Sequence, residues 1–132
     1  MSIEVEVLTE AAPALPARRR DVVLAALEVF RGLDVGITTN NMVTFLYLCE
    51  NEGVSVTELA TLAGLNPATA SRSIRSLAAP GARWSLPPSL GLIEVLGYGA
   101  SRNSKTLRLT PAGAEIRDRI NALIETGVRI EA

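Results

Sequence analysis

Two arginines set among small residues carry the most distinctive chemistry in this sequence. Residues 64–77 read GLNPATASRSIRSL, so Arg72 and Arg75 lie among mostly alanine, serine and threonine. Guanidinium groups donate hydrogen bonds to phosphates and guanine edges, and serine or threonine hydroxyls bond to either. Such a slim, basic surface fits a DNA major groove about 12 Å wide. An ordinary solvated helix face explains the same residues, so this stretch alone leaves both interpretations open.

The same stretch predicts an amphipathic helix that begins at Pro67. Asn66 is a favoured N-cap residue, and proline suits the first helical position. Successive helical residues turn by about 100°, which places Arg72 nearly opposite the apolar positions. Those positions, which we expect to be buried, are Ala70, Ile74 and Leu77.

A shorter helix is predicted immediately before it. Ser55 and Glu58 have the spacing of a capping box, and Gly64 can adopt the left-handed conformation that ends a helix. A helix, a glycine turn and a capped helix in this order make a helix-turn-helix, whose second helix enters the major groove. The residues expected to face the core from the shorter helix are Leu59, Ala60 and Ala63.

Two short strands are predicted after these helices. LIEVL at 92–96 and TLRLT at 106–110 alternate apolar and polar residues, as half-buried strands do. The segment between them contains glycines with Arg102 and Lys105. A hairpin with a basic tip after a helix-turn-helix is a wing, and wing tips reach phosphates or the adjacent minor groove. We expect the inward residues to be Ile93, Val95, Leu107 and Leu109.

The first and last helices are predicted to form a dimer interface. RRRDVVLAALEVFRGL reads as a helix ending at Gly32 with apolar residues on two faces, which indicates two packing partners. The last helix has Thr110 as its cap and Pro111 as its first residue, and its apolar stripe needs a partner. The two faces of the first helix are Val23, Leu27, Phe30 and Val22, Ala26, Val29, Leu33; the stripe of the last is Ile116, Ile120, Leu123, Ile124 and Gly127.

A further helix is predicted in TTNNMVTFLYLCEN, capped by Thr38 or Thr39. Apolar residues recur in it at intervals of three to four, so one face should contact the core. Tyr47 lies off that face, where it can line a ligand pocket or pack at the boundary of the core. The residues expected on the core face are Met42, Phe45, Leu46 and Cys49.

Charge is distributed unevenly along the 132 residues. The net charge is −1, but residues 66–110 carry six basic residues against Glu94 alone, whereas residues 1–65 carry four basic and nine acidic residues. A nearly neutral chain with one basic segment can still present a basic face. The length predicts one domain, and a hydrophobic content of 48% is sufficient for its core.

The sequence contains no histidine and a single cysteine, Cys49. This composition excludes Ser-His and Cys-His catalysis, an intrachain disulfide and most zinc sites. No pair of acidic residues marks a shared cleft, so we expect no enzyme activity, metal or cofactor. No basic residue adjoins Cys49 in sequence, which favours a buried structural thiol over a redox sensor.

Neither a membrane span nor a secretory signal is predicted. No apolar run reaches the roughly 18 residues of a membrane helix. MSIEVEVLTE lacks the basic start and apolar block of a signal peptide. We therefore expect a cytoplasmic protein, associated with the nucleoid when bound to DNA. Residues 1–17, rich in proline and alanine, are expected to form a flexible arm.

Three stretches in this order, VSVTELATLAGLNPATASRSIRSL, GLIEV and LTPAG, resemble the MarR family of bacterial transcription regulators. The resemblance covers roughly residues 20–130. It implies a homodimer joined through its first and last helices, with two helices that begin at Pro67 lying in successive major grooves of a roughly palindromic site. Family members often repress transcription, and many release DNA on binding a small phenolic or lipophilic effector or on cysteine oxidation.

The resemblance also assigns the residues that face DNA. In the helix that begins at Pro67 they are Pro67, Ala68, Thr69, Ser71, Arg72 and Arg75. We expect bases to be read by Arg72 with Ser71, Thr69 and Ala68. We expect phosphate contacts from the backbone amides at the start of that helix and from Arg75, Arg83, Arg102 and Lys105.

Two features depart from the family pattern. An insertion with Arg83, Trp84 and two prolines separates the helix from GLIEV. It can widen the DNA contact, bind a partner or fold back so that Trp84 packs on the domain, and we favour the packing. The family's Asp-x-Arg motif is absent from the wing, because Ser101 and Asn103 occupy those places with Arg102 between them.

The predicted fold class is α+β: a mostly helical winged helix-turn-helix domain with a small β-hairpin and N- and C-terminal dimerisation helices. The predicted function is sequence-specific binding of double-stranded DNA by a homodimeric transcription repressor. One alternative is a winged-helix module that binds a protein, as an adaptor or antirepressor; another is an architectural or mobile-element DNA-binding protein without an effector. The predicted divisions are the arm 1–17 and one domain 18–132, with helix-turn-helix 55–77, insertion loop 78–91, wing 92–110 and dimerisation helix 111–130.

Overall fold

The computed structural model describes residues 20–81, 84–97 and 105–131. The predicted arm and the wing tip lie outside them. Five helices and one antiparallel hairpin occupy the described residues, and the predicted α+β fold class is confirmed. The elements are α1 (Val22–Leu33), α2 (Thr39–Glu50), α3 (Val56–Ala63), α4 (Pro67–Leu77), β1 (Ile93–Leu96), β2 (Thr106–Leu109) and α5 (Pro111–Thr126).

Side-chain caps begin the helices where the sequence predicts them. The Thr38 hydroxyl accepts from the Asn41 backbone N–H at 3.1 Å, and the Asn66 side chain accepts from the Thr69 N–H at 2.9 Å. Ser55 opens α3 with the predicted capping box. Each cap satisfies an N–H that has no partner inside its helix, which stabilises the helix by about 1 kcal/mol.

The helix-turn-helix is formed by α3 and α4, which pack against each other around Gly64. Gly64 adopts a left-handed conformation with φ of 69°, so the chain can reverse directly after α3. Leu59 and Ala60 are buried on α3, while Ala63 is half-buried. The predicted stripe of α4 is confirmed, with exposures of 1%, 2% and 0% for Ala70, Ile74 and Leu77.

The predicted core face of α2 is partly wrong. Phe45 is fully buried as expected, but Leu46 is 39% exposed, and Met42 and Cys49 are only half-buried. The buried face is rotated because α2 packs against α4 as well as α3, and contact with α4 covers polar positions that hydropathy assigns to solvent. The buried residues of α2 are Asn41, Thr44, Phe45 and Leu48.

The two strands pair with Ile93 opposite Leu109 and Val95 opposite Leu107, so all four predicted residues lie on the same face. Ile93 and Leu107 are fully buried. The hairpin also bonds to the chain before α3: the Gly53 N–H donates to the Leu107 carbonyl at 2.8 Å. The wing and the helix-turn-helix therefore share one core.

The last helix starts in direct contact with the backbone before β1. The Thr110 hydroxyl donates to the Gly91 carbonyl at 2.6 Å, and the Thr110 N–H donates to the Leu92 carbonyl at 3.0 Å. A Cβ on Gly113 would lie 2.1 Å from the Leu92 oxygen, so only glycine fits there. The LTPAG motif thus places α5 against the entry to the wing.

α1 and α5 pack together and leave apolar side chains exposed on both. α1 extends one residue past the predicted end at Gly32. Its side chains Phe30 and Val29 are buried, with exposures of 2% and 9%. By contrast, Val23 is 54% and Leu27 47% exposed, and Ile124 of α5 is 60% exposed. No helix within the described part of the chain combines the length and apolar character needed to cross a bilayer.

Candidate nucleic-acid interface

The outer side of α4 is polar and basic. Pro67, Ala68 and Arg72 are exposed, while Thr69 and Ser71 are half-buried at its edges. At the start of α4, Pro67 has no N–H and Asn66 caps the Thr69 N–H, so the Ala68 N–H is left without a partner inside the helix. This surface therefore offers a backbone amide, hydroxyls and a guanidinium to an anionic or hydrogen-bonding ligand.

Arg75 is held by the insertion. Its Nε donates to the Trp84 carbonyl at 2.6 Å, and its side chain is half-buried. The guanidinium keeps further donors, since arginine has five N–H groups. The sequence predicted Arg75 as a phosphate contact on α4. It did not predict the hydrogen bond by which Arg75 holds the insertion.

The insertion covers the C-terminal end of α4. The Leu86 N–H donates to the Arg75 carbonyl at 2.9 Å, and the Leu90 N–H donates to the Ser76 carbonyl at 3.0 Å. These bonds satisfy carbonyls that a helix end leaves without partners. Trp84 packs against the core, as the packing interpretation of the insertion expects. The insertion therefore holds the C-terminal end of α4 in place.

Lys105 lies on the wing side of α4. It lines a cleft of about 440 Å³ together with Ser71 and Arg75 of α4 and with Trp84 of the insertion. Strand and helix thus place a lysine and an arginine on the same cleft, which gives this side of α4 a positive charge. Two more of the predicted contact residues, Arg83 and Arg102, lie outside the described residues.

A second cleft, of about 480 Å³, lies on the opposite flank, where the start of α2 meets α4. We call it the α2–α4 cleft. Sequence reasoning missed it because hydropathy places polar residues on the surface without indicating that two polar helix faces meet. The one available signal was the polar run TTNN at the start of α2. The polar residues that define the cleft are Thr38, Asn40, Asn41, Thr69, Arg72, Ser73 and Ser76.

Sequence reasoning also missed Glu52. Its carboxylate accepts from the Leu109 N–H at 3.0 Å and lies 3.8 Å from the Arg117 guanidinium. Glu52 therefore connects the end of α2 to both β2 and α5. The contacts join residues more than fifty positions apart, and no local pattern indicates them.

Cys49 has the properties of a structural thiol. Burial raises its pKa from 9.0 to about 11, an increase that Glu52 and Glu50 add to and Arg117 opposes. A thiol with a raised pKa is protonated at neutral pH and reacts slowly with oxidants. Within residues 20–81, 84–97 and 105–131, no three His, Cys, Asp or Glu side chains are grouped to hold a metal ion.

Comparison with known proteins identifies the fold. No protein-family model and no curated protein matches the sequence. RV1404 from Mycobacterium tuberculosis is similar, with a TM-score of 0.58 at 21% identity over 96% of this chain and 75% of that one. A MarR family transcription regulator has a TM-score of 0.55 at 22% identity, over 96% of this chain and 76% of that one. Staphylococcus aureus MarR in complex with salicylate and kanamycin has a TM-score of 0.57 at 16% identity, over 95% of this chain and 70% of that one.

In all three comparisons the similarity extends over nearly the whole of the present chain. At such low identities it establishes the arrangement of helices and hairpin, which is the arrangement that the three sequence stretches predict. The chain has the winged-helix fold of the MarR family of transcription regulators.

Proposed function

We propose that this protein is a sequence-specific, double-stranded DNA-binding regulator of transcription. The observation that carries the proposal is the presentation of α4. Its apolar stripe is buried, and its opposite side exposes Arg72 with small polar neighbours. In a helix-turn-helix this second helix is the one that enters the major groove, and no bulky side chain on its outer side obstructs entry.

The roles of the contact residues follow from chemistry and position. Arg72, with Ser71, Thr69 and Ala68, would read base edges, since arginine recognises guanine and hydroxyls bond to either base type. Phosphates would be bound by Lys105, by the remaining donors of Arg75 and by backbone amides near Pro67. Arg83 and Arg102 are proposed phosphate contacts on the sequence pattern alone.

We propose a homodimer formed through α1 and α5. Val23, Leu27 and Ile124 are 54%, 47% and 60% exposed in the single chain, and apolar side chains at such exposure on adjacent helices favour a partner. A two-fold dimer would present two copies of α4 to successive major grooves. Leu27→Glu places a charge in this surface and should produce a monomer in sedimentation experiments, whereas Glu125→Gln, an exposed change on α5, should leave the wild-type mass. A monomeric wild-type protein would contradict the proposal.

Repression and control by a small molecule belong to the same proposal. A repressor that occupies its own promoter would be cytoplasmic and would need a signal for release. The complex of Staphylococcus aureus MarR with salicylate shows that a protein of this fold can hold a small aromatic acid. A thermal-shift screen tests for an effector, because a ligand that binds only the folded state raises the melting temperature.

The decisive experiment is fluorescence anisotropy with the duplex upstream of the protein's own gene and a scrambled duplex, at low and moderate salt. A regulator should prefer the native duplex and retain that preference as salt rises, because the charge-only part of binding declines steeply with salt. Equal binding to both duplexes that collapses with salt would refute sequence-specific regulation and would favour a protein-binding role.

A further inference from the structure

We infer that the α2–α4 cleft binds one phosphate group of the DNA backbone, so that α2 contacts DNA beside the helix-turn-helix. The inference rests on the proposed function. It adds a DNA contact on a helix to which the sequence assigned a core face and, at Tyr47, a ligand pocket or a boundary position. It places a phosphate on the flank of α4 opposite the wing.

The start of α2 provides a positive helix end whose own first turn carries no acidic side chain. Thr38 caps only the Asn41 N–H, so the N–H groups of Thr39 and Asn40 have no intrahelical partner. The first turn of α2 contains no Asp or Glu, in contrast to α3, where Glu58 occupies the corresponding place. Free N–H groups and the helix dipole favour an anion here.

Two buried polar side chains of the cleft point independently to a ligand. Asn41 is 6% and Ser73 4% exposed, and both line the cleft. Across residues 20–81, 84–97 and 105–131, neither the Asn41 amide nor the Ser73 hydroxyl makes a side-chain hydrogen bond. Their polar atoms keep access to the cleft and have no protein partner among the described residues there, so both are available to bond to an atom that occupies it.

The charge and location of the cleft identify the occupant. Arg72 lines the cleft, and none of the described residues that line it is acidic. Amides, hydroxyls, helix ends and arginine are the groups that most often bind DNA phosphates. Because Thr69 and Arg72 belong both to the cleft and to the outer side of α4, a phosphate at the edge of the major groove would lie beside them.

The test places a carboxylate at the mouth of the cleft and compares it with a matched control. Asn40 is exposed at the second position of α2, where an acid is favourable for the helix, so Asn40→Asp should fold normally. Thr57 is exposed at the second position of α3 and lies outside the cleft. Thr57→Asp therefore adds the same charge at the same helical position.

We expect Asn40→Asp to weaken binding to the native and the scrambled duplex by the same factor. That factor should be about fivefold or more, the effect of two unit charges about 4 Å apart in water. Thr57→Asp should weaken binding much less. Equal losses in the two variants would mean long-range repulsion only, and a loss confined to the native duplex would mean a base contact; either result would overturn the inference. If the wild-type protein binds neither duplex, the proposed function itself fails.

A second variant and a second ligand complete the test. Asn41→Ala removes the buried amide without adding charge and should cost about two- to tenfold on both duplexes, the equivalent of one hydrogen bond. Inorganic phosphate at constant ionic strength should change the melting temperature little, because a single anion lacks the contacts that the rest of the duplex makes. A rise with phosphate that Asn40→Asp abolishes, together with unchanged DNA binding by that variant, would assign the cleft to a free oxyanion and refute the DNA contact.

Discussion

Replacing Gly113 by alanine should destabilise the protein although alanine is the better helix former. In an unconstrained helix the exchange would stabilise by about 1 kcal/mol. At Gly113 the added Cβ would lie 2.1 Å from the Leu92 oxygen and 3.0 Å from the Leu92 carbonyl carbon. Both are backbone atoms, so the first turn of α5 or the chain entering β1 must shift.

The magnitude follows from what that shift disturbs. Overpacking of a tight contact costs about 1–3 kcal/mol. The Leu92 carbonyl also accepts from the Thr110 N–H at 3.0 Å, and loss of that bond costs about 1 kcal/mol more. After the helical gain of alanine is subtracted, we expect a net loss of about 2 kcal/mol in the free energy of unfolding. For a domain of this size that corresponds to a melting temperature lower by about 7 °C.

Gly32→Ala is the matched control. Gly32 lies in α1, and a Cβ there meets nothing within 4 Å. The same exchange should therefore stabilise by about 0.5–1 kcal/mol. Urea unfolding of both variants at one protein concentration measures the difference, since stability of a dimer depends on concentration. Equal effects of the two substitutions would refute the close contact between α5 and Leu92.

Three further predictions concern single side chains. Arg72→Ala should lower affinity for the native duplex by about 1–3 kcal/mol in anisotropy measurements and relax its sequence preference, while the melting temperature stays constant because Arg72 is exposed. Arg75→Ala should lower the free energy of unfolding in urea by about 1 kcal/mol, because the bond to the Trp84 carbonyl is lost; an unchanged midpoint would mean that this bond contributes nothing. The pKa of Cys49 is about 11 in the folded protein against 9.0 ordinarily, so the unfolded chain loses its proton first and stability should decline as pH rises through that interval. Cys49→Ala should remove that part of the decline, and an identical pH profile in the variant would contradict the raised pKa.

Local signals account for the success of the helix and strand predictions. The capping box of Ser55 and Glu58, the Asn66–Pro67 start of α4 and the alternation in the hairpin each depend on neighbours only a few residues apart. Such signals act through bonds that form inside one turn or one strand pair. The stripe of α4 was predicted correctly because its apolar residues lie on the side that the helix buries.

The core face of α2 shows where local signals fail. Hydropathy selected Leu46 for the core, but contact with α3 on one side and α4 on the other buried Asn41 and Thr44 instead. The buried residues of α2 have the same spacing as those of α4, but two of the four are polar, so apolar periodicity selected a face rotated by one residue. The same contact creates the α2–α4 cleft.

The sequence by itself determined the order of elements, their caps and the basic outer side of α4, because each of these depends on interactions within one helix, one turn or one hairpin. Tertiary structure alone decided that the insertion holds Arg75 through the Trp84 carbonyl, that Glu52 joins α2 to β2, and which residues share each cleft. The two hydrogen bonds join positions 9 and 57 residues apart, in different elements of the fold. Their partners are chosen by how whole helices pack, and that packing reflects the shape of the complete core rather than any local pattern.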